Sequence, residues 1–195
     1  MPWRLKSGIA VKFQYLPNIL TIIRLLLAGP ITLAILSGRP VWTISLFGIA
    51  ALSDALDGFL ARRYGWQSRL GAMLDPLADK VLLVSAFLSL TFIKALPLWL
   101  TLLVVGRDIL IIAGTFVYHW VAGSIQFKPS RLGKLCTLLQ LSLIMTALVS
   151  AALSYTKPVL ILQPLVALFT IGSGLQYVVE WGKKGVRRIR RHHRG

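Results

Sequence analysis

At 195 residues with 56% hydrophobic side chains and a mean hydropathy of +0.73, the chain is too apolar for a soluble domain and too short for several domains, so it reads as one membrane domain. The net charge of +16 would suit nucleic acid, but the basic residues gather at the ends of apolar segments instead of interleaving with aromatics along a soluble face; that argues against nucleic acid and for topology signals and anionic lipid contact. A single cysteine, Cys136, excludes an internal disulfide and reads as a small packing residue.

In chain order, residues 3–15 mix Trp3, Leu5, Ile9, Val11 and Phe13 with Arg4, Lys6 and Lys12, the composition of an interfacial amphipathic helix. A basic start before an apolar run also suits a signal peptide, but no small-residue cleavage site follows, so an uncleaved anchor is expected. Six apolar stretches follow, at about 17–36, 41–62, 70–92, 97–121, 132–153 and 158–179, each of a length that crosses a bilayer. Pro17 and Pro97 suit helix starts, the stretch from Ser37 to Pro40 a short turn, and Pro76 a kink in the third span. The expected fold is all-α: a polytopic membrane protein with six transmembrane helices, comprising a membrane domain over 1–182 and a basic tail over 183–195. That tail carries seven Lys and Arg residues and almost nothing apolar, and is expected to be disordered or interfacial and drawn to anionic lipid.

Charge asymmetry orients this layout. One side receives the N-terminal segment, Arg62 to Arg69, Lys128 to Lys134 and Lys183 to Arg194; the other receives Arg39, Lys94 and Lys157. Both termini are therefore expected in the cytoplasm. His119, His192 and His193 form no metal-ligand spacing.

The chemistry concentrates between Ser53 and Lys80. The chain has six acidic residues, and four of them, Asp54, Asp57, Asp75 and Asp79, lie here in otherwise apolar sequence. A charge near the bilayer centre costs roughly 2.5 to 3.5 kcal/mol, so such residues mark functional sites. Spacings of three and four place each pair on one face of a helix, and antiparallel packing of the two helices would converge four carboxylates on one cation pocket. Hard oxygen donors suit Mg2+, Mn2+ or Ca2+. The plainer reading of any single Asp is an ion pair with Arg24, Lys80 or Arg107. For Gly58 or Gly71 it is helix packing, against a close backbone approach to a ligand.

The pattern D-x-x-D-G-x-x-A-R, eight residues, then G-x-x-x-D-x-x-x-D is filled without a gap by Asp54, Asp57, Gly58, Ala61, Arg62, Gly71, Asp75 and Asp79. In this the chain resembles the CDP-alcohol phosphatidyltransferases. The resemblance implies an integral membrane enzyme that moves a phosphatidyl group from CDP-diacylglycerol to a hydroxyl, with its site opening to the cytoplasmic side, and a homodimer. It further implies that Asp54, Asp57, Asp75 and Asp79 hold two divalent cations, Mg2+ or Mn2+, with Asp79 as general base. Spacing alone leaves open which carboxylate takes the proton. By the same resemblance Gly58, Ala61, Arg62 and Gly71 line the CDP-lipid site, Arg62 being otherwise a topology charge. The run PNILTIIRLLLAGP resembles the family's opening helix, making Asn18 and Thr21 candidates for nucleotide contact; capping or backbone hydrogen bonding is the alternative for both.

For the acceptor, Arg107, Lys134 and Arg131 are candidate phosphate ligands, with topology the alternative for Arg131 and Lys128. Phosphatidylglycerol-phosphate synthases carry further bases where this chain has Thr115 and Cys136, whereas R-D-x-x-L-I and K-P-S followed by Lys134, Thr137 and Gln140 resemble eukaryotic-type cardiolipin synthases. The resemblance thus favours phosphatidylglycerol as acceptor, with glycerol 3-phosphate second. Two other classes fit four acids in an apolar chain. A cation transporter or channel is disfavoured by the compact hairpin and the lack of an inverted repeat. A prenyl-diphosphate enzyme would leave Gly58 and Arg62 without a role.

Overall fold

A computed structural model of the chain describes residues 16–64, 69–122, 131–153 and 156–192, with side chains described over 21–53, 77–114, 132–153 and 156–180. The expected N-terminal interfacial helix at 3–15 lies outside the described residues. Six helices and no strand are found among those described: α1 (Leu16–Leu36), α2 (Pro40–Tyr64), α3 (Arg69–Phe92), α4 (Leu98–Ala122), α5 (Arg131–Leu153) and α6 (Lys157–His192). They fall into two compact units, Met1–Ala95 and Leu96–Gly195.

In the first unit α1 packs against both α2 and α3. Its buried side chains, Thr21, Arg24, Ala28, Ile31 and Ile35, recur at intervals of three and four, one face of a helix. Thr43, Phe47 and Ala50 of α2 and Ala78, Leu82, Ala86, Phe87 and Leu90 of α3 are buried likewise. α1 continues through Pro30 and ends in a Schellman turn: Gly38, at φ +63°, donates to the Ile35 carbonyl and Arg39 to that of Ala34. Pro40 then opens α2, with the Arg39 carbonyl accepting from the Thr43 amide. α3 closes the same way, but with Lys94 at φ +61°. That conformation costs a residue with a Cβ about 1–2 kcal/mol.

In the second unit α6 packs against both α4 and α5. Its buried positions Val159, Val166, Thr170 and Ser173 meet an interior that includes Val104 and Arg107 of α4 and Cys136, Gln140, Leu143 and Ile144 of α5. The basic segment after residue 182 is no separate coil: α6 runs on through it to His192. Lys and Arg are good helix formers, and cations are favourable at a helix C-terminus, so loss of apolar periodicity does not end the helix.

Large apolar side chains face outward on all six helices, among them Leu26, Val41, Phe92, Leu102, Leu138 and Ile161. Hydroxyls on these apolar helices, such as Ser45, Ser53, Ser142 and Thr146, donate to the carbonyl four residues back in their own helix, so they need no water partner. By length and apolarity two helices among the described residues qualify as membrane spans, Leu132–Leu153 and Lys157–Glu180.

Candidate functional site

Both acid pairs sit on helices that pack against α1. Asp54 and Asp57, with Gly58, Ala61 and Arg62, lie on the last three turns of α2; Gly71, Asp75 and Asp79 lie on the first three turns of α3. Asn18 and Thr21 occupy the beginning of α1. Every residue proposed from sequence for the metal and CDP-lipid site therefore belongs to three helices of one unit. The side chains of Asn18, Asp54, Asp57, Gly58, Ala61, Arg62, Gly71 and Asp75 lie outside those described, so the expected convergence of four carboxylates falls outside the described geometry as well.

Asp79 and Thr21 are described. Asp79 Oδ1 accepts a hydrogen bond from Arg24 Nη1 at 2.9 Å, an ion pair reaching from α1 to α3. Its two ends differ: the Arg24 side chain is 1% exposed, that of Asp79 48%. The plainer reading of a single Asp, an ion pair with Arg24, is thus realised at Asp79. The Asp79 side chain nevertheless keeps about half of its surface exposed. Thr21 is buried one turn before Arg24 on the same face of α1.

Four aspartates on two consecutive helices would offer hard oxygen donors, a chemistry that fits Mg2+ or Mn2+. Among the residues with described side chains, no group of three or more His, Cys, Asp or Glu comes together; three of the four aspartates are not in that set.

The acceptor candidates belong to the second unit. Arg107 is buried on α4, donates from Nη1 to Asp108 Oδ1 at 2.7 Å and from Nη2 to Ser173 Oγ on α6 at 2.6 Å, and sits over the Tyr177 ring, 6.0 Å from its centroid. Its Nε is buried with no hydrogen-bond partner. Lys134 is exposed on α5, and Arg131 begins that helix with its side chain outside those described. Thr115 lies on α4 and is likewise undescribed beyond its backbone. Cys136 is fully buried between α5 and α6: its sulfur lies 3.5 Å from Thr170 Oγ1 and accepts from Gln140 Nε2 at 3.4 Å. That is the small packing role read from the sequence. It also means that a lysine at 136 would have to enter the α5–α6 interface.

Sequence reasoning offered Arg24 as one of three partners for a single Asp, and passed over Ser173 and Tyr177 as parts of these clusters. An arginine amid leucines at position 24 was the available signal, because a buried cation requires an acid; a serine and a tyrosine 66 and 70 residues beyond Arg107 carried none.

The family model described as CDP-alcohol phosphatidyltransferase matches residues 14–174, which reach from α1 into α6 and include all four aspartates. The chain is 32% identical, over 193 aligned residues, to a cardiolipin synthase (CMP-forming) of Rattus norvegicus, and 31% identical to one of Homo sapiens; each alignment covers 90% of this chain and 64% of the relative. A probable phosphatidylglycerophosphate synthase of Mycobacterium tuberculosis is 38% identical over 100 residues, 48% of either chain. This chain thus spans somewhat less than two thirds of the mammalian relatives' length. With the family's match running through every helix and its full acidic pattern in place, the chain belongs to the CDP-alcohol phosphatidyltransferase family.

Proposed function

We propose that this protein transfers a phosphatidyl group from CDP-diacylglycerol to phosphatidylglycerol, releasing CMP and forming cardiolipin. The observation that carries the reading is the reach of the likeness: the mammalian cardiolipin synthases align over 90% of the chain, against 48% for the mycobacterial phosphatidylglycerophosphate synthase. Arg107 supports the same acceptor. Already paired with Asp108, it brings little net charge to a ligand, which suits a phosphodiester with one negative charge better than a phosphomonoester dianion.

Asp54, Asp57, Asp75 and Asp79 would hold two divalent cations, Mg2+ or Mn2+. When bound, these ions neutralise charge on the bridging and leaving oxygens of the diphosphate. Asp79 takes the proton of the acceptor hydroxyl as that oxygen bonds to the phosphatidyl phosphorus, and the bond from this phosphorus to the CMP oxygen breaks. Gly58, Ala61, Arg62 and Gly71, with Asn18 and Thr21, line the CDP-lipid. Arg107, Lys134 and Arg131 hold the acceptor. The second reading, glycerol 3-phosphate as acceptor, is favoured by the 38% identity to the mycobacterial relative over the residues it shares.

Detergent-purified protein given CDP-diacylglycerol is expected to release CMP and make cardiolipin at least ~10-fold faster with phosphatidylglycerol than it reacts with glycerol 3-phosphate, one factor of ten being about 1.4 kcal/mol of discrimination. Rapid phosphatidylglycerol phosphate formation without cardiolipin overturns the choice of acceptor. No CMP release with either overturns phosphatidyl transfer.

The protein is placed in the membrane with six spans, its N-terminal segment interfacial, both termini and the site on the cytoplasmic side, its basic C-terminal helix against anionic lipid, and as a homodimer. The outward apolar side chains and internally satisfied hydroxyls support the membrane placement, and the charge asymmetry supports the orientation. Cysteines introduced at Gly38 and Arg63 are expected to be labelled from opposite sides; labelling of both from one side contradicts the layout.

A further inference from the structure

We infer that Gln176 and Glu180 of α6 form the hydroxyl-binding end of the acceptor site and hold the secondary hydroxyl of the acceptor's glycerol head, which makes them specificity-determining residues. This rests on the reading above that Arg107 holds the acceptor, through its phosphate.

Of the chain's six acids, four belong to the aspartate pattern and Asp108 pairs with Arg107; Glu180, the one glutamate, is the sixth. It closes the apolar span Lys157–Glu180 and lies on a polar stripe. Ser173, Gln176, Tyr177 and Glu180 stand at intervals of three and four, on one face of α6. The inner end of that face is built into the fold: Ser173 is fully buried and accepts from Arg107 Nη2, and Arg107 lies over the Tyr177 ring. The outer end is more open. Gln176 and Glu180 are half-buried, and Gln176 Nε2 donates to Glu180 Oε1 at 2.9 Å. A pair of this kind one turn apart stabilises a helix only slightly, and it leaves the buried Gln176 Oε1 with no hydrogen-bond partner among the described residues.

Across the interface of α4 and α6, the buried Nε of Arg107 has no such partner either. Buried polar atoms are paired in the great majority of cases, so an unmet acceptor and an unmet donor on one interface suit a ligand that brings both complements. A glycerol phosphate head is such a ligand: its hydroxyl donates to the carboxamide oxygen and to the Glu180 carboxylate, and its phosphate accepts from the guanidinium. The reach agrees. Tyr177, under the guanidinium, precedes Glu180 by three residues, about 4.5 Å of helix rise, a separation that one glycerol phosphate spans. The secondary hydroxyl is the one held because the primary hydroxyl is consumed in the transfer. Phosphatidylglycerol and glycerol 3-phosphate both carry it.

The test deletes that hydroxyl from the acceptor. Detergent-purified full chain with CDP-diacylglycerol is given phosphatidylglycerol or phosphatidyl-1,3-propanediol, which keeps the reacting primary hydroxyl and lacks the secondary one. The parent is expected to prefer phosphatidylglycerol ~10- to 100-fold in kcat/KM, because the analogue leaves acceptors of the site unpaired. Gln176→Met and Glu180→Met put an apolar group of similar length on an apolar helix, so both are expected to fold. Each is expected to raise the KM for phosphatidylglycerol, to leave that for CDP-diacylglycerol within ~2-fold, and to narrow the preference between the two acceptors to within ~3-fold. Arg107→Lys, which keeps the buried charge but loses the planar fork, is expected to raise the KM for both acceptors alike.

A parent that does not distinguish the two acceptors, or Met variants that keep its preference whether or not their overall rate falls, overturn the inference alone. Unchanged KM for both acceptors in Arg107→Lys overturns it together with the reading of Arg107. If the parent uses glycerol 3-phosphate instead of phosphatidylglycerol, the choice of acceptor falls, and the same comparison between glycerol 3-phosphate and 3-hydroxypropyl phosphate decides the inference separately: a preference that narrows in both Met variants upholds it, and one that persists overturns it.

Discussion

Each compact unit buries an arginine beside an aspartate, and the two pairs are built differently. In the first, Arg24 and Asp79 are 55 residues apart and join α1 to α3, with the acid 48% exposed. In the second, Arg107 and Asp108 are sequence neighbours with side chains 8% and 5% exposed, and Arg107 spans to α6 through Ser173 and Tyr177. A pair closed at both ends directs its hydrogen bonds into the fold. A pair buried only at the cation keeps its acid accessible from outside the fold, as a metal-binding acid requires. Burial of the acid, more than the presence of an ion pair, separates the two roles.

The largest effect expected from this difference is on chemistry. Asp54→Asn, Asp57→Asn, Asp75→Asn and Asp79→Asn are each expected to lower CMP release by on the order of 10²- to 10³-fold or more, because each removes charge from a site whose catalysis is electrostatic. Near-parental turnover in any two of them breaks the site assignment. Next in size is a stability effect in the other unit: Asp108→Asn strands the buried Arg107 charge and is expected to cost about 3–5 kcal/mol in unfolding measurements. A cost below about 1 kcal/mol would show that the pair is not a closed one. Ser173→Ala removes a neutral partner from the same guanidinium and is expected to cost less, about 1.5–3 kcal/mol. A larger loss than Asp108→Asn would place the anchor of Arg107 on α6 instead.

Helix positions were legible because prolines and glycines punctuate this chain. The first span was expected at 17–36 and is Leu16–Leu36; Gly38, before Pro40, ends α1 in the left-handed cap that a glycine there suggests, and Pro97 precedes α4 as expected. The last span was expected at 158–179 and the candidate span is Lys157–Glu180, while the helix itself continues on charged residues to His192. Lys94 in a left-handed cap was not legible, since nothing local distinguishes it from other lysines. The acidic pattern was legible as fixed spacing within two adjoining helices. The partner of Asp79 was not: Arg24, Lys80 and Arg107 were equally available, and selection among them depends on α1 lying against α3, which local periodicity does not encode. For the same reason Cys136 was assigned its small packing role without the α6 neighbour, Thr170, that gives it one.

The most direct test of the contrast between the open and the closed pair is the response of thermal stability to Mn2+. A ligand that binds only the folded protein stabilises it by RT ln(1 + [L]/Kd), about 2.7 kcal/mol at a hundredfold excess over Kd. The melting temperature of the parent is expected to rise with added Mn2+ and to fall back with EDTA. Asp108→Asn, starting from a lower temperature, is expected to show the same rise, whereas Asp79→Asn, which strands the buried Arg24 charge and so also starts from a lower temperature, is expected to respond weakly or not at all. An Asp79→Asn protein that responds like the parent, or an Asp108→Asn protein that loses the response, would contradict the assignment of metal binding to the open pair and not to the closed one.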